Sequence, residues 1–286
     1  MMHGEMPSNI PAADKKETVL RETLPFVRES YAKAEKMMRG AAINPRNFVH
    51  PYGEQVVEKD VAWTEKIIAE QQSRFDVNKV HADIVEAILY EHIEQSNWFG
   101  EKASTIKTSQ FDDLRNGVDL IVEFEEAAEG FLHMGLAVDV TFGEMALQDK
   151  IQKIKREIEE GKLAEIKYFE SDRSPYKGLY RNLPRVVVGM DRSHMVELMK
   201  MWIDDSRKKE FATHPVQMMI LHEIRSQLMR FSQYATQCGQ EEVVGIYNKQ
   251  LRVIGRILKQ KSDIEVQSYE KSDGVHSGIL KQLELF

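Results

Sequence analysis

Three stretches decide the fold class: Thr105-Ile106-Lys107-Thr108-Ser109, Gly117-Val118-Asp119-Leu120-Ile121-Val122-Glu123-Phe124, and Gly135-Leu136-Ala137-Val138-Asp139-Val140-Thr141-Phe142. Side chains alternate across a strand, so residues two apart share a face. Read as strands, the second puts Val118, Leu120, Val122 and Phe124 on one side and Asp119, Ile121 and Glu123 on the other. The third puts Leu136, Val138, Val140 and Phe142 opposite Ala137, Asp139 and Thr141. A connection over residues 125–134 returns the chain directly. Folding about its midpoint sets Asp119 roughly opposite Asp139, within one residue of register. Two carboxylates that close repel unless a proton or a cation lies between them.

Outward from this centre, Asn78 is placed to cap a helix running to about Ser96. Val80, Ile84, Ala87 and Ile88 form its apolar stripe. Glu91 lies within that stripe, while Glu86 is flanked by Leu89, Tyr90 and Ile93. A carboxylate inside an apolar stripe either snorkels at the helix end or faces a polar pocket. After the strands, residues 144–160 read as a helix stopped by Gly161. A strand over 164–170, a polar loop, a buried strand over 185–191 and a helix over 195–202 follow. Upstream, residues 15–39 and 57–75 read as helices, the first interrupted by Pro25. Downstream, His214–Gln237 and Gln240–Lys261 form a helical hairpin. The chain thus divides into a flexible tail (1–14), an N-terminal helical region (15–78), an α/β core (79–205), a C-terminal helical region (206–262) and a polar tail (263–286).

The 286 residues suffice for a sizeable core, and 42% hydrophobic with 30% charged residues is ordinary for a soluble protein. No apolar run is long enough to span a membrane, and no secretory leader is evident. The single cysteine, Cys238, excludes an internal disulfide and fits a cytoplasmic protein. It also excludes a zinc site built on several cysteines. A net charge of −7 argues against nucleic-acid binding on charge alone, although acidic metal ligands contribute to it.

The order helix, three meandering strands, helix, strand, with Asp119 and Asp139-Val140-Thr141 on the middle strands, resembles the core of the PD-(D/E)xK nuclease superfamily. The resemblance spans residues 79–192. It implies an α/β fold with a restriction-endonuclease-like mixed sheet, flanked here by N-terminal helices and a C-terminal helical hairpin. It implies Mg²⁺ or Mn²⁺ as cofactor, DNA as the partner, and phosphodiester hydrolysis as the reaction. Asp119 stands for the family's first acid and Asp139 for the second, both as metal ligands. Glu86 matches the helix glutamate by its distance ahead of the strands, while the stripe favours Glu91; both are carried. Asp112 and Asp113 are placed to add a ligand at the strand entrance, and Gln148 stands where several nucleases carry a helix glutamine. Thr141 departs from the pattern, because the family's lysine stands there. Lys150 or Lys153 on the next helix, or Lys107 on the first strand, is then needed to supply the charge. A catalytically inactive nuclease fold, acting as an interaction module that forms homo-oligomers through its C-terminal helices, is the alternative.

Plainer readings stand beside these. Asp112 and Asp113 suit a turn. Glu123 is expected to face solvent or Arg115, and His133, His214 and His222 to be capping or surface residues. Met195, Met199, Met218 and Met219 read as core filling.

Overall fold

The computed structural model describes residues 12–72, 75–126, 130–139, 144–264, 274–284 and 286. Helices α1 (Ala12–Glu22) and α2 (Pro25–Ala41) meet at Pro25, which ends one pattern and opens the next at the first helical turn. The short α3 (Val49–Tyr52) and then α4 (Glu54–Gln72) follow. Helix α5 (Val77–Gln95) is capped by Asp76, whose side chain accepts from the Lys79 amide at 3.0 Å, and not by Asn78.

Strand β1 (Ala103–Lys107), helix α6 (Gln110–Asn116), strand β2 (Leu120–Glu126) and strand β3 (Gly130–Asp139) come next. Helix α7 (Glu144–Glu160), strands β4 (Ala164–Glu170), β5 (Lys177–Leu183) and β6 (Arg185–Gly189), and helix α8 (Arg192–Trp202) continue the chain. Helices α9 (Val216–Gln237), α10 (Glu241–Gln260) and α11 (Gly274–Leu283) complete it.

The main sheet has the order β1-β2-β3-β6, with β1, β2 and β3 antiparallel and β6 parallel to β3. A parallel neighbour requires a crossover, and the α7–β4–β5 segment supplies it. Strands β4 and β5 pair as a separate antiparallel ribbon. The sheet is covered on both faces. Leu120, Val122, Phe124 and Leu136 pack into a helical cluster with Ile84 and Ile88 of α5, Ile154 of α7 and Leu228 of α9. Ile106, Val118 and Ile121 pack instead under Ile166, Phe169 and Leu183 of the ribbon.

Three features differ from the expectation. The β2–β3 connection is short, because pairing continues out to Glu126 and Gly130 where a loop over 125–134 was expected. Val118 leaves the face of Leu120 for that of Ile121, because β2 becomes regular only at Leu120, beyond a left-handed Gly117. The stretch expected as a polar loop contains β5.

The C-terminal helices belong to the same core. Gln227 of α9 donates to the Val187 carbonyl at 2.6 Å and accepts from its amide at 2.8 Å, so α9 is fastened to β6. The methionines Met195, Met199, Met218 and Met219 are buried in the core, as their spacing predicts. Among the described residues, no helix is long and apolar enough to cross a membrane.

Candidate functional site

Three elements bring acids to one place. On α5, Lys79, Asp83 and Glu86 fall four and three residues apart, on one helical face. On α6, Ser109 caps the first turn by accepting from the Asp112 amide at 3.1 Å. Asp112 is completely buried and accepts from the Lys167 and Tyr168 amides of β4 at 2.7 and 3.0 Å. It therefore anchors α6, and neighbouring Asp113 projects into the pocket. Helix α6 stops at Gly117 in the left-handed region (φ 69°), which turns the chain back toward the sheet within two residues of Asp119.

Together these elements, with α7 and Arg185 of β6, line a pocket of about 330 Å³. Its negative side is formed by Glu86, Asp113 and Asp119. Lys107, from β1, stands behind them: its Nζ lies 2.6 Å from Glu86 Oε1 and 3.1 Å from Asp113 Oδ2, and donates to the Asp119 carbonyl at 3.2 Å. Burial pushes the Asp119 carboxyl well above the usual carboxylate range, and Asp113 and Glu86 add to the push. Burial also raises Glu86, against the pull of Lys107. Burial works the same way on Asp113, but Lys107 and a hydrogen bond from Asp119 outweigh it and hold that carboxyl below its ordinary value. Asp119 and Asp113 are therefore pushed in opposite directions, as neighbouring carboxyls are when the charge of one opposes ionisation of the other.

The opposite wall is basic. Lys153 Nζ donates to the Asn116 carbonyl at 2.7 Å, and Arg185 Nη1 donates to the Asn116 and Gly117 carbonyls. A Cβ at Gly117 would come within 3.2 Å of Arg185 Nη1, tighter than ordinary contact, and the positive φ at this position favours glycine as well. Glu157 pairs with Arg185 at 2.8 Å. Burial, reinforced by Arg185, brings Lys153 down to about 8. Lys150 also lines the pocket, and its charge opposes the rise of Asp119. At the rim Lys79 pairs with Asp83 at 2.8 Å.

The fold brings together Glu86, Asp113, Asp119, Lys150 and Lys153 from among the residues singled out in the sequence, with Lys107 behind them. Asp139 ends β3 beside Gly189. Leu136 pairs with Leu120, and the Asp119 amide donates to the Leu136 carbonyl, so Ala137 is level with Asp119 and Asp139 lies two positions further on. The expected facing pair is therefore out of register. The Asp139 side chain, and Thr141 altogether, lie outside the described residues. Glu91 is elsewhere: it accepts from Trp202 Nε1 and lies 3.8 Å from Lys33 in a separate small cleft. Gln148 is exposed.

Glu123 and His133 depart most from the plain reading. Glu123 is fully buried because the ribbon covers its face; Glu123 Oε2 accepts from Ser171 Oγ and lies 2.7 Å from His133 Nε2. Arg185, which in sequence opens a strand and ends a run of basic residues that reads as solvated surface, is instead buried and lines the pocket.

Among the described residues, no group of three or more His, Cys, Asp or Glu side chains is placed so that it could hold a metal ion. No family model, no curated protein and no solved structure matches this chain.

Proposed function

We propose that this pocket is the active site of a divalent-metal-dependent phosphodiesterase acting on DNA. The observation that carries the reading is that Glu86, Asp113 and Asp119 line one pocket, where burial and the other two acids push the Asp119 carboxyl well above its usual range. A divalent cation beside these carboxylates would relieve the same repulsion. The all-oxygen donor set suits Mg²⁺ or Mn²⁺, which take one or two carboxylates and complete their shell with water and substrate phosphate. Asp119 and Asp113 would hold the ion, with Glu86 as a further ligand or as the base that orients the attacking water. Such an ion lowers the pKa of its bound water and offsets charge on the phosphodiester.

The chain's own residues do the rest. Lys107 keeps Asp113 ionised from behind. Lys150 or Lys153, across the pocket, takes the charge-stabilising role that Thr141 cannot fill. The order α5, β1–β2–β3, α7, β6, with β6 parallel to β3, supports the restriction-endonuclease-like reading. A catalytically inactive module is favoured by Thr141 and by the net charge of −7, but the apolar stripe of α9 that it would use for oligomers is already packed inside the chain.

The test is Mn²⁺-dependent cleavage of single- and double-stranded DNA by wild type, Asp119→Asn and Asp113→Asn. Loss of a single metal ligand should lower the rate at least 100-fold, with circular dichroism unchanged. Equal cleavage by wild type and both variants would remove the pocket from the reaction. No cleavage by wild type, with no metal binding by calorimetry, would move the protein to the inactive class.

A further inference from the structure

Two lysines at this pocket stand in opposite surroundings. Burial pulls Lys107 down, but Asp113, Glu86 and Asp119 outweigh it and hold the side chain as an ammonium above its ordinary pKa. Lys153 of α7 is half-buried and has no such company. Among the described residues its Nζ donates to two backbone carbonyls, Asn116 at 2.7 Å and Arg115 at 3.5 Å, and neither acceptor carries a charge. Arg185 Nη1 donates to the same Asn116 oxygen, so a guanidinium and an ammonium crowd one acceptor. Arg185 is always charged, and Glu157, 2.8 Å away, is engaged with it.

An amine in that place gives up its proton readily. Burial is the first cause of the fall of Lys153 to about 8 and Arg185 the second; Glu157 opposes them, while Arg115 and Arg156 add to the fall. The neutral amine fits the same contacts, because its two N–H bonds serve the two carbonyls and its lone pair is left over. Arg185 keeps the last carbonyls of α6 satisfied whichever form Lys153 takes. Desolvation beside a second cation is how a protein makes a lysine nucleophilic.

We infer that Lys153 is a nucleophilic amine that condenses with a small uncharged aldehyde entering this pocket. The pocket volume of about 330 Å³ lies at the small end of ligand sites, about 300–1,000 Å³. Four acidic and four basic side chains line it, so its charge selects neither anions nor cations. In the condensation the amine lone pair forms a bond to the carbonyl carbon, and one proton passes from nitrogen to oxygen. The resulting hydroxyl leaves as water with the second amine proton, which gives an imine; nothing is oxidised or reduced. The step needs neither metal nor nucleic acid, and it leaves Lys150 to the charge-stabilising role in the proposed cleavage.

The experiment treats the full chain with glycolaldehyde and cyanoborohydride in EDTA, where the reductant traps any imine, and locates the modified lysines by peptide mass mapping. At pH 7.5 Lys153 should be labelled at least tenfold faster than any other lysine in the same digest, with Lys107 as the internal control that stays unlabelled. The rate at Lys153 should rise with pH through about 8. It should also level off as glycolaldehyde increases, as a bound aldehyde requires. Lys153→Arg, which keeps a cation beside the Asn116 carbonyl, should lose the fast label with circular dichroism unchanged. Labelling spread over the exposed lysines overturns the inference. So does a rate at Lys153 that grows in proportion to aldehyde without levelling off, which marks a reactive amine with no site. Both of these readings come from the wild type, so they decide the matter even where the variant does not fold.

Discussion

Asp119 and Glu123 stand four residues apart, one just ahead of β2 and one within it, on opposite faces of the sheet; Glu123 is buried and Asp119 half-buried. Asp119 is on the helical side with Asp113 and Glu86; Glu123 is under the ribbon with His133 and Ser171. Burial pushes both carboxyls upward. For Glu123 the bonds from His133 and Ser171 outweigh burial and hold it below its ordinary value of 4.5. For Asp119 the nearest groups are acids, and they add to the burial cost. Burial of a carboxylate therefore says little about function. What separates a structural acid from a candidate ligand is whether its neighbours donate to it or compete with it.

The widest separation should appear in stability. Glu123→Ala leaves His133 Nε2 and Ser171 Oγ without their acceptor and should cost on the order of 3 kcal/mol in urea denaturation at pH 7. Asp119→Asn removes a repelled carboxyl and should change stability by less than about 1 kcal/mol. Similar losses in the two variants would erase the distinction.

The pH dependence should have opposite signs. Glu123, lowered in the folded state, contributes stability that is present above its unfolded value near 4.5 and is lost as pH falls through the folded value. Asp119, raised in the folded state, behaves in the reverse sense. Above its unfolded value near 3.8 the unfolded chain ionises while the folded chain keeps the proton, so stability falls as pH rises. Urea midpoints from pH 3 to 7 should show the Asp119→Asn curve gaining on wild type with rising pH. The Glu123→Gln variant should fall behind over the same range.

The smallest effect is the most specific. Mn²⁺ at ten times its Kd should stabilise wild type by about 1.4 kcal/mol and leave Asp119→Asn unmoved, while Glu123→Gln keeps the full increment. A thermal shift lost in both variants would mean that metal binding senses general stability and not this pocket.

Much of this was legible in the chain. The main helical stretches, the three successive strands and the buried strand near 185 follow from hydrophobic period and turn residues, while the parallel direction of that last strand comes from its pairing with β3. Asp119 stands out because it interrupts an apolar strand, and Glu86 by its distance ahead of the strands, whereas the apolar stripe of the helix pointed to Glu91, which lies in another cleft. The register was not legible: a two-residue shift, set by pairing that continues to Gly130, moves Asp139 away from Asp119. Nor was the ribbon, because the residues of β5 are half-exposed and polar, and without it Glu123 reads as a surface acid. Asp112 and Asp113 look alike in sequence. Only the β4 amides, 55 residues downstream, give one a structural role and the other a place in the pocket.

That anchor has a consequence for biogenesis. During synthesis α6 leaves the ribosome long before Lys167 and Tyr168, whose amides Asp112 requires. Until β4 emerges, Asp113 has no fixed position, and the acids of the pocket cannot converge. The site is therefore assembled late, after more than half the chain has been made.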